Sequence, residues 1–87
     1  MQDHEKQNTF KIYRQPTVSN LFGIGKSSTY ERIKKGILPP PISLGGRSVG
    51  WVASEVESVL KAMIRGESEA QLKALVIELT NQRQELH

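Results

Sequence analysis

The sequence predicts a small, mainly α-helical fold with a β-hairpin wing, of the winged helix-turn-helix class. Three features within residues 23–51 indicate it: a short helix that ends in lysines, prolines at 39–41 that force extended backbone, and a Gly-Gly-Arg sequence flanked by two short apolar segments. With 87 residues, of which 37% are hydrophobic and 24% charged, the chain has room for one such domain.

The chain divides into three parts by composition. Residues 1–9 are polar and without pattern, so we expect a flexible tail. Residues 10–66 are predicted to form the winged helix-turn-helix domain, and residues 67–87 a C-terminal amphipathic helix. The boundary falls at Gly66, which interrupts the helical spacing of apolar residues.

The domain is expected to begin with an extended lead-in and a short first helix. Residues 10–14 alternate apolar and basic side chains, which predicts a short strand that sets an apolar side chain against the core. Pro16 suits the first helical position, and Gly23 ends the helix. The apolar residues at helical spacing between them are Val18, Leu21 and Phe22.

The second helix is predicted from a capping box and a terminal glycine. Ser28 and Glu31 match the S-x-x-E pattern, so the helix should begin near Ser28 and run to Lys35, where the following glycine ends it. Thr29 and Ile33 fall on one face, which we expect to pack inward. The outer face is expected to carry Tyr30, Glu31, Lys34 and Lys35, with Arg32 at the boundary.

The wing is predicted from the residues that follow the prolines. Residues 42–44 and 49–51 can form two short strands around a Gly-Gly-Arg-Ser tip at 45–48, which places the cation of Arg47 at the end of a hairpin. Trp51 ends the second strand. We expect it in the core, because one buried indole is a large part of so small an interior.

Two further helices are expected after the wing. A second capping box, Ser54 and Glu57, should start a third helix that braces the domain. Its core-facing residues are predicted to be Val56, Val59, Leu60 and Met63. The last helix, at residues 68–86, carries an apolar stripe that consists of Leu72, Leu75, Val76, Leu79 and Leu86.

Such a stripe needs a partner. Either the last helix folds back on the domain or it pairs with a second subunit, which makes residues 67–87 a candidate homodimerisation element. A long parallel coiled coil is not supported, because Gln82 falls where the seam would need an apolar residue.

Positive charge is concentrated in the same stretch as the turn motifs. Residues 24–52 contain five basic residues and one acidic residue, whereas residues 53–87 contain four basic and six acidic ones. A basic helix followed by a hairpin with a cation at its tip is typical of a surface that binds nucleic-acid phosphates, the alternative being a solvated lysine-rich helix end.

Other functional classes find little support. The chain has no cysteine, no apolar N-terminal stretch typical of a secretion signal, and no aliphatic run longer than residues 75–77, so we expect no membrane partner and a cytoplasmic location. His4 and His87 lie at opposite ends, and a phosphate-binding loop at Lys26 and Ser27 would need glycine where Asn20 stands. We expect no enzyme activity, no metal site and no cofactor.

An ordered series of residues carries a resemblance to a known family. It consists of Ser27, Ser28, Tyr30, Ile33, Lys34 and Gly36, the prolines at 39–41, residues 44–47 (Leu-Gly-Gly-Arg), and Trp51 followed by residues 54–57 (Ser-Glu-Val-Glu). In these, residues 11–65 resemble the AlpA family of small prophage transcriptional regulators, relatives of excisionase and MerR-type winged-helix domains. The resemblance implies a DNA-binding activator or accessory factor for genes of an integrated element, often the integrase or excision genes.

Two features depart from the family pattern. Glu31 stands where many members have a basic residue in the recognition helix, and Arg32 where they often have a bulky apolar one. The Glu31 carboxylate can accept a hydrogen bond from cytosine N4 or complete the capping box; since one carboxylate serves one of these roles, we expect the cap. The helix after Gly66 lies outside the resemblance.

The resulting prediction is a sequence-specific double-stranded DNA-binding transcriptional regulator of a prophage or integrated element. Contacts near base edges or flanking phosphates are expected from Lys26, Ser27, Ser28 and Tyr30, and mainly electrostatic contacts from Lys34, Lys35 and Arg47. Two alternatives stay open: an excisionase-like recombination directionality factor that bends DNA, and a protein-interaction adaptor that uses the C-terminal helix.

Overall fold

The computed structural model describes residues 10–86, which form four helices and a three-stranded sheet. In chain order the elements are β1 (Ile12–Tyr13), α1 (Gln15–Phe22), α2 (Lys26–Lys35), β2 (Ile42–Gly45), β3 (Ser48–Val52), α3 (Ala53–Ile64), α4 (Glu69–Gln82) and a 3₁₀ turn (Arg83–Glu85). The predicted class, mainly helical with a hairpin wing, is confirmed. The tail predicted for residues 1–9 lies outside the described residues.

The wing belongs to a small antiparallel sheet with the strand order β1-β3-β2. β2 and β3 form the predicted hairpin, with a bulge in β2 ahead of the tip. Gly45 and Gly46 have φ angles of 108° and 55°, a region that glycine enters without a steric penalty. β1 pairs with the other edge of β3 and sets Tyr13 opposite Trp51, so the predicted lead-in is the third strand of the sheet.

The helix pair α1 and α2 is joined by a short turn with a left-handed glycine. Gly23 follows α1 with a φ of 68°, and the Ile24 N–H donates to the carbonyl of Ser19, which closes the end of α1. Gly36 ends α2 with a φ of 84°. Both helix ends agree with the predicted ones. Pro16 is the second residue of α1 and not the first.

A buried chain of hydrogen bonds connects α1 to α2. Gln15 Nε2 donates to Ser19 Oγ at 2.7 Å, and Ser19 Oγ lies 2.7 Å from Thr29 Oγ1. Thr29 Oγ1 donates to the Gly25 carbonyl at 2.9 Å. Because the Thr29 proton is used there, Ser19 is the donor to Thr29, and both hydroxyls are satisfied. Because the bond between the two hydroxyls is buried and both are satisfied, it favours one placement of the two helices.

The predicted start of the second helix is wrong. α2 begins at Lys26, after the N-cap residue Gly25, and no side chain caps it. Ser28 lies inside the first turn, so Ser28 and Glu31 do not form a capping box. The start is set by Thr29, whose backbone N–H and hydroxyl both donate to the Gly25 carbonyl. These two bonds require a helical turn that already includes the residues before Ser28.

The predicted capping box of the third helix is also wrong. α3 begins at Ala53, directly after β3, and has no side-chain cap. The Ala53 N–H donates to the Lys11 carbonyl at 2.8 Å, so contact with the lead-in to β1 determines where β3 ends and α3 begins. The Glu57 carboxylate instead accepts a hydrogen bond from the Tyr13 hydroxyl, which raises the pKa of Tyr13.

The core lies between the sheet and the helices α1, α3 and α4. Trp51 is completely buried, as predicted, and its ring is the largest in the core. Thr29 is buried and Ile33 is half-buried, which confirms the inward face of α2. The buried cluster consists of Val18, Leu38, Trp51, Val56, Val59, Ala62, Leu72 and Val76.

The last helix folds back against α3. A capping box between Ser68 and Gln71 starts α4, and Leu72 and Val76 of its stripe lie in the core. Of the two alternatives for the stripe, packing within the chain is therefore present, and self-association stays a prediction. The helix ends at Gln82, before the predicted end, and a 3₁₀ turn follows it. Leu86 lies after this turn and is exposed, so it is not part of the stripe.

Arg83, directly after α4, connects the C-terminal segment to the rest of the domain through hydrogen bonds. Arg83 donates from Nε and Nη2 to the two carboxylate oxygens of Glu55 at 2.8 and 2.6 Å, and Nη2 also donates to the Pro40 carbonyl at 2.8 Å. The two side chains are 20% and 8% exposed, and the bonds to Glu55 raise the pKa of Arg83. The C-terminal segment is thus tied to α3 and to the loop that leads to the wing.

Candidate functional site

One side of α2 points away from the core and is polar throughout. Its exposed residues, which we call the outward face of α2, are Ser27, Ser28, Glu31, Lys34 and Lys35. The helical period of 3.6 residues puts them opposite the inward-facing Thr29 and Ile33. The outward face therefore presents hydroxyls in its first turn and two cations in its last turn, with one carboxylate between them.

The first turn of α2 also has backbone groups to offer. Its N-cap residue is Gly25, which has no side chain, so the N–H groups at the start of the helix have no side-chain acceptor. Lys26, the first helical residue, is exposed beside them. Free amide donors, the positive end of the helix dipole and a nearby ammonium group favour an anion at this position.

Tyr30 lies on one flank of the outward face and connects α2 to the wing. Its ring meets the Trp51 ring edge-on, with centroids 6.1 Å apart and an interplanar angle of 62°. The side chain is nevertheless 40% exposed. Because Trp51 belongs to β3, this contact helps to set the position of α2 relative to the hairpin. Tyr30 thus has a packing role beside the contact role predicted for it.

Arg32 lies on the opposite flank and packs across the helices. Its guanidinium group sits 6.0 Å from the centroid of the Phe22 ring, and Nη1 is 3.9 Å from the sulfur of Met63. These contacts to α1 and α3 explain why a cation occupies the boundary position predicted for it.

The wing tip carries the second basic feature. Arg47 is exposed in the turn between β2 and β3 and has no ion pair with any residue that the structure describes. The same holds, within residues 10–86, for Lys26, Lys34 and Lys35. The ion pairs between residues that the structure describes use Arg65, Lys73 and Arg83, all in the last third of the chain. Within residues 10–86, the cations of α2 and the wing are therefore exposed and not held by an ion pair.

Glu31 is the residue whose place differs most from expectation. It is exposed in the middle of the outward face and does not cap the helix, contrary to the predicted role. Glu69 and Lys73 of α4 form an ion pair at 3.6 Å with the spacing that Glu31 has to Lys35, but Glu31 makes no such pair with a described residue. Among the residues that the structure describes, its carboxylate has no ion-pair partner, on a face whose other charged residues are lysines.

Sequence reasoning missed two connections that hold this surface in place. They are the Ser19–Thr29 bond and the contacts of Arg83 with Glu55 and Pro40, which join residues 10, 28 and 43 positions apart. No local pattern points to either one. The Ser68 and Gln71 pattern at α4, in contrast, is local and does mark a helix start.

Features of other site classes are few in the described part of the chain. No group of three or more His, Asp or Glu residues there is arranged to hold a metal ion. A pocket of about 280 Å³ beside Phe10, Leu79 and Leu86 has no residue of α2 in its lining. No helix between residues 10 and 86 combines the length and the apolar character that a bilayer span requires.

A helix pair joined by a short turn, a basic outward helix face and an arginine-tipped hairpin define a winged helix-turn-helix protein. The chain belongs to the family described as prophage CP4-57 regulatory protein (AlpA), which it matches over residues 11–62. The matched region includes the helix pair, the wing and most of α3, whereas α4 lies outside it.

A phage protein is similar to a stretch of 56 residues of the chain. "Uncharacterized protein ORF88" of Enterobacteria phage P4 is 43% identical over 56 residues, and the match covers 64% of each chain. The chain thus spans slightly less than two thirds of that relative's length. No solved structure matches the chain.

Proposed function

We propose that this protein is a sequence-specific double-stranded DNA-binding transcriptional regulator of a prophage or integrated element. The outward face of α2 enters the major groove, and the hairpin of β2 and β3 contacts the flanking backbone or the adjacent minor groove. The observation that carries the proposal is the combination of an exposed polar and basic helix face with an arginine at the tip of the neighbouring wing. Membership in a prophage regulatory family supports it.

The contacts are divided between the two ends of α2. Lys26, Ser27 and Ser28, in the first turn, lie near base edges or flanking phosphates, with Tyr30 beside them. The hydroxyls of the two serines can donate to base acceptors or accept from base donors. Tyr30 reaches the same region from the flank that packs on Trp51.

The remaining cations act mainly through charge. Lys34 and Lys35 face phosphates from the last turn of α2, and Arg47 contacts phosphates or a narrow minor groove from the wing. Counting one phosphate each for Lys26, Lys34, Lys35 and Arg47, four phosphates are neutralised per domain.

Binding to labelled duplexes at several salt concentrations tests this proposal. With about four phosphates neutralised, log affinity should fall against log salt with a slope of about −3.6 for B-form DNA. Arg47→Ala should weaken binding to all duplexes similarly and reduce the slope by about 1, because it removes one phosphate contact. The matched control is Lys61→Ala, which removes an exposed cation from α3 and should leave the slope unchanged.

Sequence preference separates the two groups of contacts. In selection from a random duplex pool, Ser28→Ala should enrich different sequences from the unaltered protein, whereas Arg47→Ala should enrich the same ones. A slope near zero contradicts DNA binding through this surface. An equal loss of preference from both substitutions contradicts the division into base-edge and phosphate contacts.

A homodimer formed through residues 67–87 is part of the same proposal. Two domains on one duplex would read two half-sites at a fixed spacing, the usual arrangement of helix-turn-helix regulators. Leu72 and Val76 are used within the chain, so a dimer contact has to use the outer side of α4, where Ile77 is 62% exposed.

A further inference from the structure

Glu31 lies where a DNA-reading helix would press most closely on its ligand. It is exposed in the middle of the outward face of α2, between the serines of the first turn and the lysines of the last turn. Thr29 and Ile33 hold the opposite side of the helix against the domain. If α2 enters the major groove, as proposed above, the Glu31 carboxylate lies in the groove beside the base edges.

The roles that a surface glutamate usually has within its own helix are not taken up here. Glu31 is the sixth residue of α2, too far along the helix to cap its first turn. No ion pair joins it to Lys34 or Lys35 among the described contacts, although the equivalent pair of Glu69 and Lys73 is formed in α4. Within residues 10–86 the Glu31 carboxylate therefore has no ion pair and no capping role that would hold it in one position.

A lone carboxylate is unfavourable against a polyanion unless it meets a hydrogen-bond donor. The major-groove edges of guanine and of the thymine ring offer acceptors at N7, O6 and O4, which repel a carboxylate. Donors come only from the amino groups of cytosine N4 and adenine N6. Adenine places its N7 acceptor beside the amino group, whereas cytosine has no such neighbouring acceptor on its own ring.

We propose that Glu31 determines specificity by accepting a hydrogen bond from the N4 amino group of a cytosine. This inference rests on the proposed DNA-binding function and extends it to one base pair. The carboxylate lowers affinity for every site that lacks a cytosine at that position, so it improves discrimination at the expense of total affinity.

Selection from a random duplex pool with the full chain tests the inference. The unaltered protein should enrich cytosine at one position of its site. Glu31→Gln should move that preference towards adenine, because a glutamine amide can bond to adenine N6 and N7 together, and Glu31→Ala should abolish the preference at that position alone. Glu57→Gln is the matched control: it removes one exposed carboxylate from α3, outside both the outward face of α2 and residues 67–87. It keeps an acceptor for the Tyr13 hydroxyl and should leave the selected sequence unchanged.

Affinity measurements on the selected duplex provide a second test of the contact between Glu31 and cytosine. Replacing the cytosine pair should weaken binding of the unaltered protein roughly 5- to 100-fold and change the affinity of Glu31→Ala less than 2-fold. Both variants should melt at the temperature of the unaltered protein, since Glu31 has no described contacts to lose. A Glu31→Ala variant that gains affinity for all duplexes and keeps the cytosine preference would overturn the inference.

The two proposals fail in different ways. Salt-dependent duplex binding without any enriched cytosine refutes the role of Glu31 and leaves DNA binding intact. Absence of duplex binding, with a flat salt dependence, refutes the proposed function itself.

Discussion

At the scale of single residues, Gly50 is the position where the sheet leaves least room. It is buried in β3, between β1 and β2, and has an ordinary φ angle. An added Cβ would overlap Ile12 Cγ2 and would lie 3.0 Å from Leu44 Cδ1 and 3.3 Å from the Tyr13 carbonyl oxygen. Ile12 is β-branched, so its Cγ2 cannot move aside without a change of rotamer or of strand position.

We therefore expect Gly50→Ala to lower the free energy of unfolding by about 1–3 kcal/mol, the range for overpacking. For a domain of this size the midpoint falls by roughly 4–8 °C for each kcal/mol. Thermal unfolding followed by circular dichroism measures this midpoint. Gly25→Ala is the comparison variant: its added Cβ meets nothing within 4 Å and its φ of −84° suits alanine. Its loss should be limited to the N-cap preference for glycine over alanine and be smaller than the loss at Gly50. Equal midpoints for both variants would contradict the close packing of the sheet.

At the scale of elements, the contact of Arg83 decides how the C-terminal segment is attached. The guanidinium group donates hydrogen bonds to the Glu55 carboxylate at the start of α3 and to the Pro40 carbonyl in the loop before β2. Removal of the arginine leaves a carboxylate that is 8% exposed without its partner, which is far less favourable than losing an exposed pair. Because Pro40 precedes the wing, the same change also loosens one support of the hairpin.

We expect Arg83→Ala to lower the free energy of unfolding by about 2–3 kcal/mol, measured by urea denaturation. Arg65→Ala is the matched control. Arg65 also forms an ion pair with a glutamate, Glu67, but its side chain is 60% exposed. The loss in the free energy of unfolding should therefore be below about 1 kcal/mol. A double-mutant cycle of Arg83→Ala with Glu55→Gln should give a coupling energy above about 1 kcal/mol; additive effects would show that the pair contributes nothing.

At the scale of the whole molecule, α4 has an inner and an outer side with different expected roles. Leu72 and Val76 complete the core, and Ile77 projects outward. We expect Leu72→Ala to lower the free energy of unfolding by about 2–5 kcal/mol, because it removes buried volume, and Ile77→Ala to change it by less than about 0.5 kcal/mol.

The outer side is then the place to test for a dimer. In sedimentation equilibrium, Ile77→Glu should shift the protein towards monomer, since a charge at this point disrupts an apolar contact between copies. Its thermal midpoint should then no longer rise with protein concentration. A protein that is monomeric at all concentrations before substitution would exclude the dimer. A dimer that is unaffected by Ile77→Glu would place the contact elsewhere.

The sequence by itself determined the class of fold, the ends of α1 and α2 and the turn of the wing. Gly23, Gly36 and the Gly-Gly tip of the wing terminate or turn the chain because only glycine adopts their positive φ angles without strain. Trp51 and the inward face of α2 follow from hydrophobicity and the helical period. These properties depend on neighbouring residues, so they can be read locally.

The tertiary structure alone decided where α2 and α3 begin, and with that the position of Glu31. Two S-x-x-E patterns predicted caps, but other hydrogen bonds start each helix earlier. Thr29 donates to the Gly25 carbonyl at the start of α2, and the Ala53 N–H donates to the Lys11 carbonyl at the start of α3. It also decided that the α4 stripe packs within the chain and that Arg83 reaches Pro40, 43 residues away. A contact over such a distance depends on the packing of several elements at once, which no local pattern contains.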